Sequence, residues 1–312
     1  MYKQFTCARA RVVSRVCSVA TSLLLAGLLS STAAATELGA SVYPAGVETV
    51  MPGMTPHPGG SLLLEFNDFY QANGLADSRG HNEIPGFHLR VGAFAVKFVH
   101  SWDVHFLGGS LVSYAALPLV YEHLDGPFGL ASKTGIGNLD LQPIAVAYHR
   151  GGLHWWYGYD VFTPGFSYHK NDLVNIGQHN FAGAPSAAVT YLSGHGAELS
   201  SKVQYIVNGK NNQTQYRSGN EMVWEYAAMQ NVVKKVAIGV NGFYYQQTTD
   251  DLQNGLRVGD GHRGRDFAVG PEVRCHVGHL VMIAKYQRDT LVQNRPMGNS
   301  FWLQVGVPLG AR

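Results

Sequence analysis

The chain has 312 residues, only 14% of them charged, and a formal net charge of +2. Soluble domains carry about 25% charge, so a water-facing surface on every side is disfavoured, and a balance so near neutrality excludes electrostatic binding of nucleic acid. No apolar run beyond the N-terminus is long enough for a membrane-crossing helix, so residence in a membrane would require a barrel of strands.

Arg9, Arg11 and Arg15 precede the apolar run 16–29 and the small residues Ala33, Ala34 and Ala35. That order predicts a secretory signal peptide over 1–35. Its removal takes away Lys3 and the three arginines but no acid, turning a charge of +2 into −2. Cys7 and Cys17 go with it, leaving Cys275 alone. An exported chain without a disulfide must be held by its core or by a closed hydrogen-bonded sheet.

Residues 36–60 are rich in proline and glycine and follow no sustained period, so they predict an N-terminal segment, either a lumen plug or a periplasmic tether. The barrel is expected over 61–312. Alternation of side chains predicts strands at 61–71, 87–98, 104–116, 139–148 and 153–162. Residues 100–103 are expected to link the second and third, and residues 117–138 to form a longer excursion. Further strands are predicted at 181–192, 197–208, 221–229 and 236–247, then a hairpin over 265–290 and a final strand at 301–309. The links alternate long and short. Outer-membrane barrels show this asymmetry, with long extracellular loops and clipped periplasmic turns. The fold class expected is therefore all-β, an antiparallel transmembrane β-barrel of about twelve strands. A soluble sandwich has no reason to keep every second link short. The C-terminus, Leu309-Gly310-Ala311-Arg312, lacks the final aromatic residue that many such barrels offer to the barrel assembly machinery, a partner expected here nonetheless.

With the strands placed, the sequence resembles the family of meta-pathway phenol degradation proteins of the outer membrane. The likeness is carried by GASVYPAGVETVMPGMTPHPGG, KTGIGNLDLQP from Lys133, YDVFTPGFSY from Tyr159, LVNIGQHN from Leu173, YYQQTTDDLQNG from Tyr244 and GRDFAVGPEVR from Gly264. The resemblance implies a barrel associated with aromatic breakdown that admits small hydrophobic, phenol-like solutes. It implies no enzymatic step.

On the predicted inward face, Glu65, Asp160, Glu221, Glu225 and Glu272 meet Arg90, Lys202, Arg274 and Lys285. Such charges either pair across the lumen and plug it or line a solute path, and their near balance favours pairing. His154, Trp156 and Phe162 are expected to point inward near Tyr245 and Trp302, where they could stack on a phenolic ring or fill the interior. No histidine pair has the i, i+4 spacing of a zinc site, so no metal is expected. The loop 248–266 mixes four aspartates with three arginines and could meet calcium, lipopolysaccharide or a solute, although no EF-hand spacing is present. Neither a nucleophile elbow nor a P-loop occurs, so no catalytic residue and no cofactor is expected. A hydrophobic-solute channel, a structural or adhesive barrel with a plugged lumen, and a membrane-embedded hydrolase are the three functional classes left in play.

Overall fold

The computed structural model describes residues 40–127 and 129–310. The expected signal peptide and the last two residues lie outside them. Every regular element among the described residues is a strand: β1 Ser61–Leu75, β2 His88–Phe106, β3 Gly109–Gly126, β4 Gly129–Ile136, β5 Asp140–Arg150, β6 Leu153–Phe162, β7 Ala182–Leu192, β8 Ala197–Asn208, β9 Tyr216–Arg217, β10 Glu221–Val233, β11 Val236–Gln247, β12 Leu252–Gln253, β13 Leu256–Arg257, β14 Arg265–Val277, β15 Leu280–Asp289 and β16 Pro296–Leu309. Each wall strand pairs antiparallel with both neighbours, and β1 pairs with β16 from Ser61↔Leu309 to Leu75↔Pro296. The ring is closed. Because β4 and β5 both pair with β3 and follow one another along the wall, they make one interrupted strand, and the barrel has twelve.

Outward positions carry the apolar band that lipid requires. Phe98, Leu119, Ile144, Tyr157, Val189, Val203, Trp224, Val240, Met282 and Leu303 are all exposed on the outer wall. Tyr, Trp and Phe recur among them, as in the aromatic girdles of outer-membrane barrels. Inward positions are instead buried, as the alternating pattern of β8 and β10 shows most plainly.

Two boundaries differ from the sequence reading. Residues 100–103 are not a link but part of β2, and the turn into β3 is Leu107-Gly108, both with positive φ, of 50° and 80°. A two-residue hairpin turn with both φ positive matches strand twist, but Asn-Gly is its usual signature. With leucine in the first place, and a register shift between Ser101 and His105 breaking the alternation, the turn had no compositional mark. The excursion expected over 117–138 is largely strand as well: β3 runs on to Gly126 and β4 returns, a paired hairpin from Leu119↔Ile136 to Gly126↔Gly129. Over the same end, the loop 248–264 is folded rather than loose. Its β12 pairs with both β13 and β9, and Asp250 holds Arg257 and Arg263 at 3.3 and 2.7 Å.

Val203 lies on the lipid face midway along β8. Val203→Arg is expected to lower the unfolding free energy in lipid vesicles by about 2–4 kcal/mol, read from urea titration, whereas His195→Arg in the exposed β7–β8 turn should leave the midpoint unchanged.

Candidate functional site

The site is the lumen, and a segment the strands do not contribute occupies much of it. Residues 41–54 have no regular structure, so their backbone groups need partners elsewhere. Inward side chains from around the wall supply them. Lys285 donates to the carbonyls of Gly46 and Val47 at 2.5 and 2.9 Å and to Thr49 Oγ1 at 2.9 Å. Gln287 donates to the Gly46 carbonyl at 3.0 Å and Gln304 to that of Val47 at 2.7 Å. On the opposite side Trp156 Nε1 donates to the Pro52 carbonyl at 2.6 Å, and Thr190 Oγ1 accepts from the Gly53 amide at 3.1 Å. A side chain at Gly46 would collide with the Gln287 amide and the Phe243 ring, and its φ of 92° suits glycine, so the segment can approach the wall here only without a Cβ.

Glu48 anchors the segment electrostatically. Its two carboxylate oxygens take the ammonium groups of Lys97 on β2 and Lys202 on β8, all three side chains being nearly buried. Lys97 Nζ also sits 3.4 Å above the centre of the Tyr114 ring. Tyr43 bridges the same centre, donating to Glu225 at 2.7 Å and accepting from Lys202 at 3.2 Å. Two buried cations share one carboxylate, with Glu225 close behind. Buried charge is tolerated in such a paired, hydrogen-bonded arrangement and is costly once a partner is removed.

The residues expected to line the lumen divide clearly. Asp160, Glu221, Glu225, Glu272, Arg274 and Lys285 all face inward and are buried. Arg274 pairs with Glu198, Glu221 accepts from Ser41 and from Asn208, Asp160 accepts from Tyr114 at 2.9 Å and from Gln142 at 2.6 Å, and Glu272 lies opposite Lys285 in the register. Phe162, Tyr245 and Trp302 belong to one buried cluster with Tyr43, Phe66 and Phe243, while Trp156 packs in a second with Val99, Val112 and Tyr114. His154 faces inward at the short-turn mouth, 2.7 Å from His149, whose other ring nitrogen is 3.1 Å from Thr55.

Glu65 and Arg90 are corrections: neither lines the lumen. On β1 the inward positions are Leu64, Phe66 and Asp68, which puts Glu65 on the outer face with the exposed Phe69. There it accepts from Asn67 at 3.0 Å. On β2 Lys97 and Val99 are buried while Phe94, Phe98 and Trp102 are exposed, so the exposed Arg90 is on the outer face. On β1 and β2 an apolar side next to a mixed side points to lipid by sequence pattern, but a lumen packed with the N-terminal segment accepts apolar residues too. Lys97 and Asp68 were the usable signals, since a charge midway along a strand rarely faces hydrocarbon. Tyr43 and Glu48 had no signal, because an aperiodic segment does not announce which strands it will touch.

A cavity of about 160 Å³ remains between segment residues 48–55 and the wall of β1, β2, β3, β5, β6, β15 and β16 near the short-turn end. Its surface is mostly apolar.

The chain matches over residues 72–305 the family described as MetA-pathway of phenol degradation. It belongs to this family. Among solved structures it is similar to an outer membrane channel from Pseudomonas putida F1, with 14% identity and a TM-score of 0.71 over 82% of this chain and 97% of that one. The transport unit of the autotransporter AIDA-I from Escherichia coli is 12% identical, with a TM-score of 0.46 over 79% and 89% of the two chains. A Pseudomonas aeruginosa FadL homologue is 10% identical, with a TM-score of 0.42 over 84% and 97%. No curated protein matches the chain by sequence. Barrel closure, the outward apolar band and the family together make this family member a β-barrel protein of the bacterial outer membrane.

Glu48→Ala leaves Lys97 and Lys202 buried without their shared partner. The expected result is a loss of stability on the order of 3 kcal/mol and a several-fold rise in single-channel conductance in planar bilayers as the segment loosens. Unchanged conductance would show that the hydrogen bonds to Lys285 and Trp156 hold the segment alone.

Proposed function

We propose that this family member is a channel for passive or facilitated entry of small hydrophobic, aromatic solutes across the outer membrane. The observation that carries the reading is the character of the space left open. Lys97 and Lys202 are engaged with Glu48 of the segment and Arg274 with Glu198, whereas the unfilled volume beside the segment is bounded mainly by valine, leucine, isoleucine, methionine and aromatic side chains. A path for sugars or ions would need free polar groups to replace a hydration shell. An apolar solute needs none of these, and gains by leaving water. The family's description in terms of phenol degradation supports the same solute class. On this reading residues 41–54 act as a plug that narrows the lumen and leaves the apolar route, and the chain conducts its solute without chemically altering it. Contact with lipopolysaccharide at the outer rim and insertion by the barrel assembly machinery accompany the reading.

A second reading is favoured by the paired charges: a structural or adhesive barrel whose lumen stays shut. The three ion pairs that cross between Glu48, Lys97, Lys202, Glu198 and Arg274 would serve that role equally.

Initial uptake of dilute toluene and of a small sugar, compared in cells with and without the gene, separates the two. Deletion is expected to slow toluene entry several-fold and leave the sugar unchanged. Equal slowing of both would make the barrel a general pore, and no change in either would give the closed barrel the lead.

A further inference from the structure

The cavity beside residues 48–55 has a size, a polarity and a charge environment that specify more than "hydrophobic". A volume of about 160 Å³ is close to the roughly 150 Å³ of an apolar protein cavity that stays dry and takes up benzene. Its walls are Leu62, Leu64, Val99, Val112 and Ile283 with Met54 of the segment, and the rings of Tyr114 and Trp156 also face it. Aromatic walls offer edge-to-face or offset contacts to a bound ring.

One end is polar. Glu48 and Lys97 border the cavity there, with Gln142 and Gln304. The charge at that end is already committed. Lys97 and Lys202 share Glu48, and the Tyr114 hydroxyl donates onward to Asp160 at 2.9 Å and Asp140 at 3.2 Å. Two bases, Lys97 and Lys202, therefore face three acids, and behind them Lys285 is matched by Glu225. A carboxylate arriving here would add a fourth acid to a buried cluster without bringing a cation, which is unfavourable in a low-dielectric interior. A neutral molecule with a hydroxyl can place it at this end and keep its ring among the aliphatic walls.

We propose that this cavity is a binding site for one neutral single-ring aromatic molecule, with its volume excluding fused rings and the acids at its polar end excluding anionic analogues. The proposal rests on the channel reading above and narrows it to a defined station on the route. Occupancy is one molecule, because the volume holds one ring. Met54 couples the site to the plug, so a bound ring touches both the wall and the segment that narrows the lumen.

The test is equilibrium dialysis of radiolabelled p-cresol, benzoate and 1-naphthol against the full-length mature protein in lipid nanodiscs, with empty nanodiscs as the baseline. Saturable one-to-one binding of p-cresol is expected, with benzoate and 1-naphthol at least tenfold weaker. Val112→Trp, which fills the cavity from β3, should weaken p-cresol at least tenfold while heat-modifiable migration is kept. Leu64→Ala, which enlarges it from β1, should strengthen 1-naphthol, and this arm decides the matter if the tryptophan variant does not fold. Cresol retention no greater than in empty nanodiscs, equal binding of all three probes, or no response to either substitution would each overturn the proposal. Toluene uptake that depends on the gene with no saturable cresol binding removes the site and keeps the channel; saturable binding with gene-independent uptake keeps the site and removes the channel.

Discussion

In hydrocarbon an amide or carbonyl without a partner costs several kcal/mol, and the pairing of β1 with β16 is what removes the last free edge of this sheet. The rest of the structure follows from that closure. Once the ring is closed the strands need no disulfide, and Cys275, the one cysteine among the described residues, is free. Outward side chains must then be apolar over the height of the bilayer. The inward ones are freed from that demand, and a twelve-strand ring has more interior than its own side chains fill.

The interior is filled by recruiting residues 41–54, and the recruitment sets the electrostatics. An aperiodic backbone brings many unpaired carbonyls and amides, so the wall must present donors and acceptors aimed at them. Lys285, Gln287, Gln304, Trp156 and Thr190 meet that need. Glu48 meets the complementary one, since Lys97 and Lys202 would otherwise be buried without an anion. The same arrangement engages the polar groups around the segment, and the volume left over beside it is mostly apolar. A charged plug and a hydrophobic route are two outcomes of one packing.

Much of this could be read along the chain. The strands 153–162, 197–208 and 236–247 were legible to within a residue because each alternates cleanly and begins at a tight glycine or lysine turn. The inward set Asp160, Glu221, Glu225, Glu272, Arg274 and Lys285 was legible for the same reason, a charge opposite a lipid-facing residue at every second position. Glu65 and Arg90 went the wrong way where the alternation was apolar on one side and mixed on the other. In a lumen packed like a core, apolar residues are at home on either face, so on β1 and β2 the hydrophobic pattern lost its sign. The turn at Leu107-Gly108 was hidden by its leucine, whose positive φ composition does not advertise.

The sequence alone determined the fold class, the strand count and the direction of most side chains, because a period of two is a local property and the bilayer allows few structures that obey it. Only the tertiary structure decided that residues 41–54 return into the barrel, that Glu48 meets lysines 49 and 154 positions away, and that an apolar cavity survives beside them. Those facts concern which strands face each other across a closed ring. They depend on closure and register rather than on any stretch of neighbouring residues, and so no local pattern encodes them.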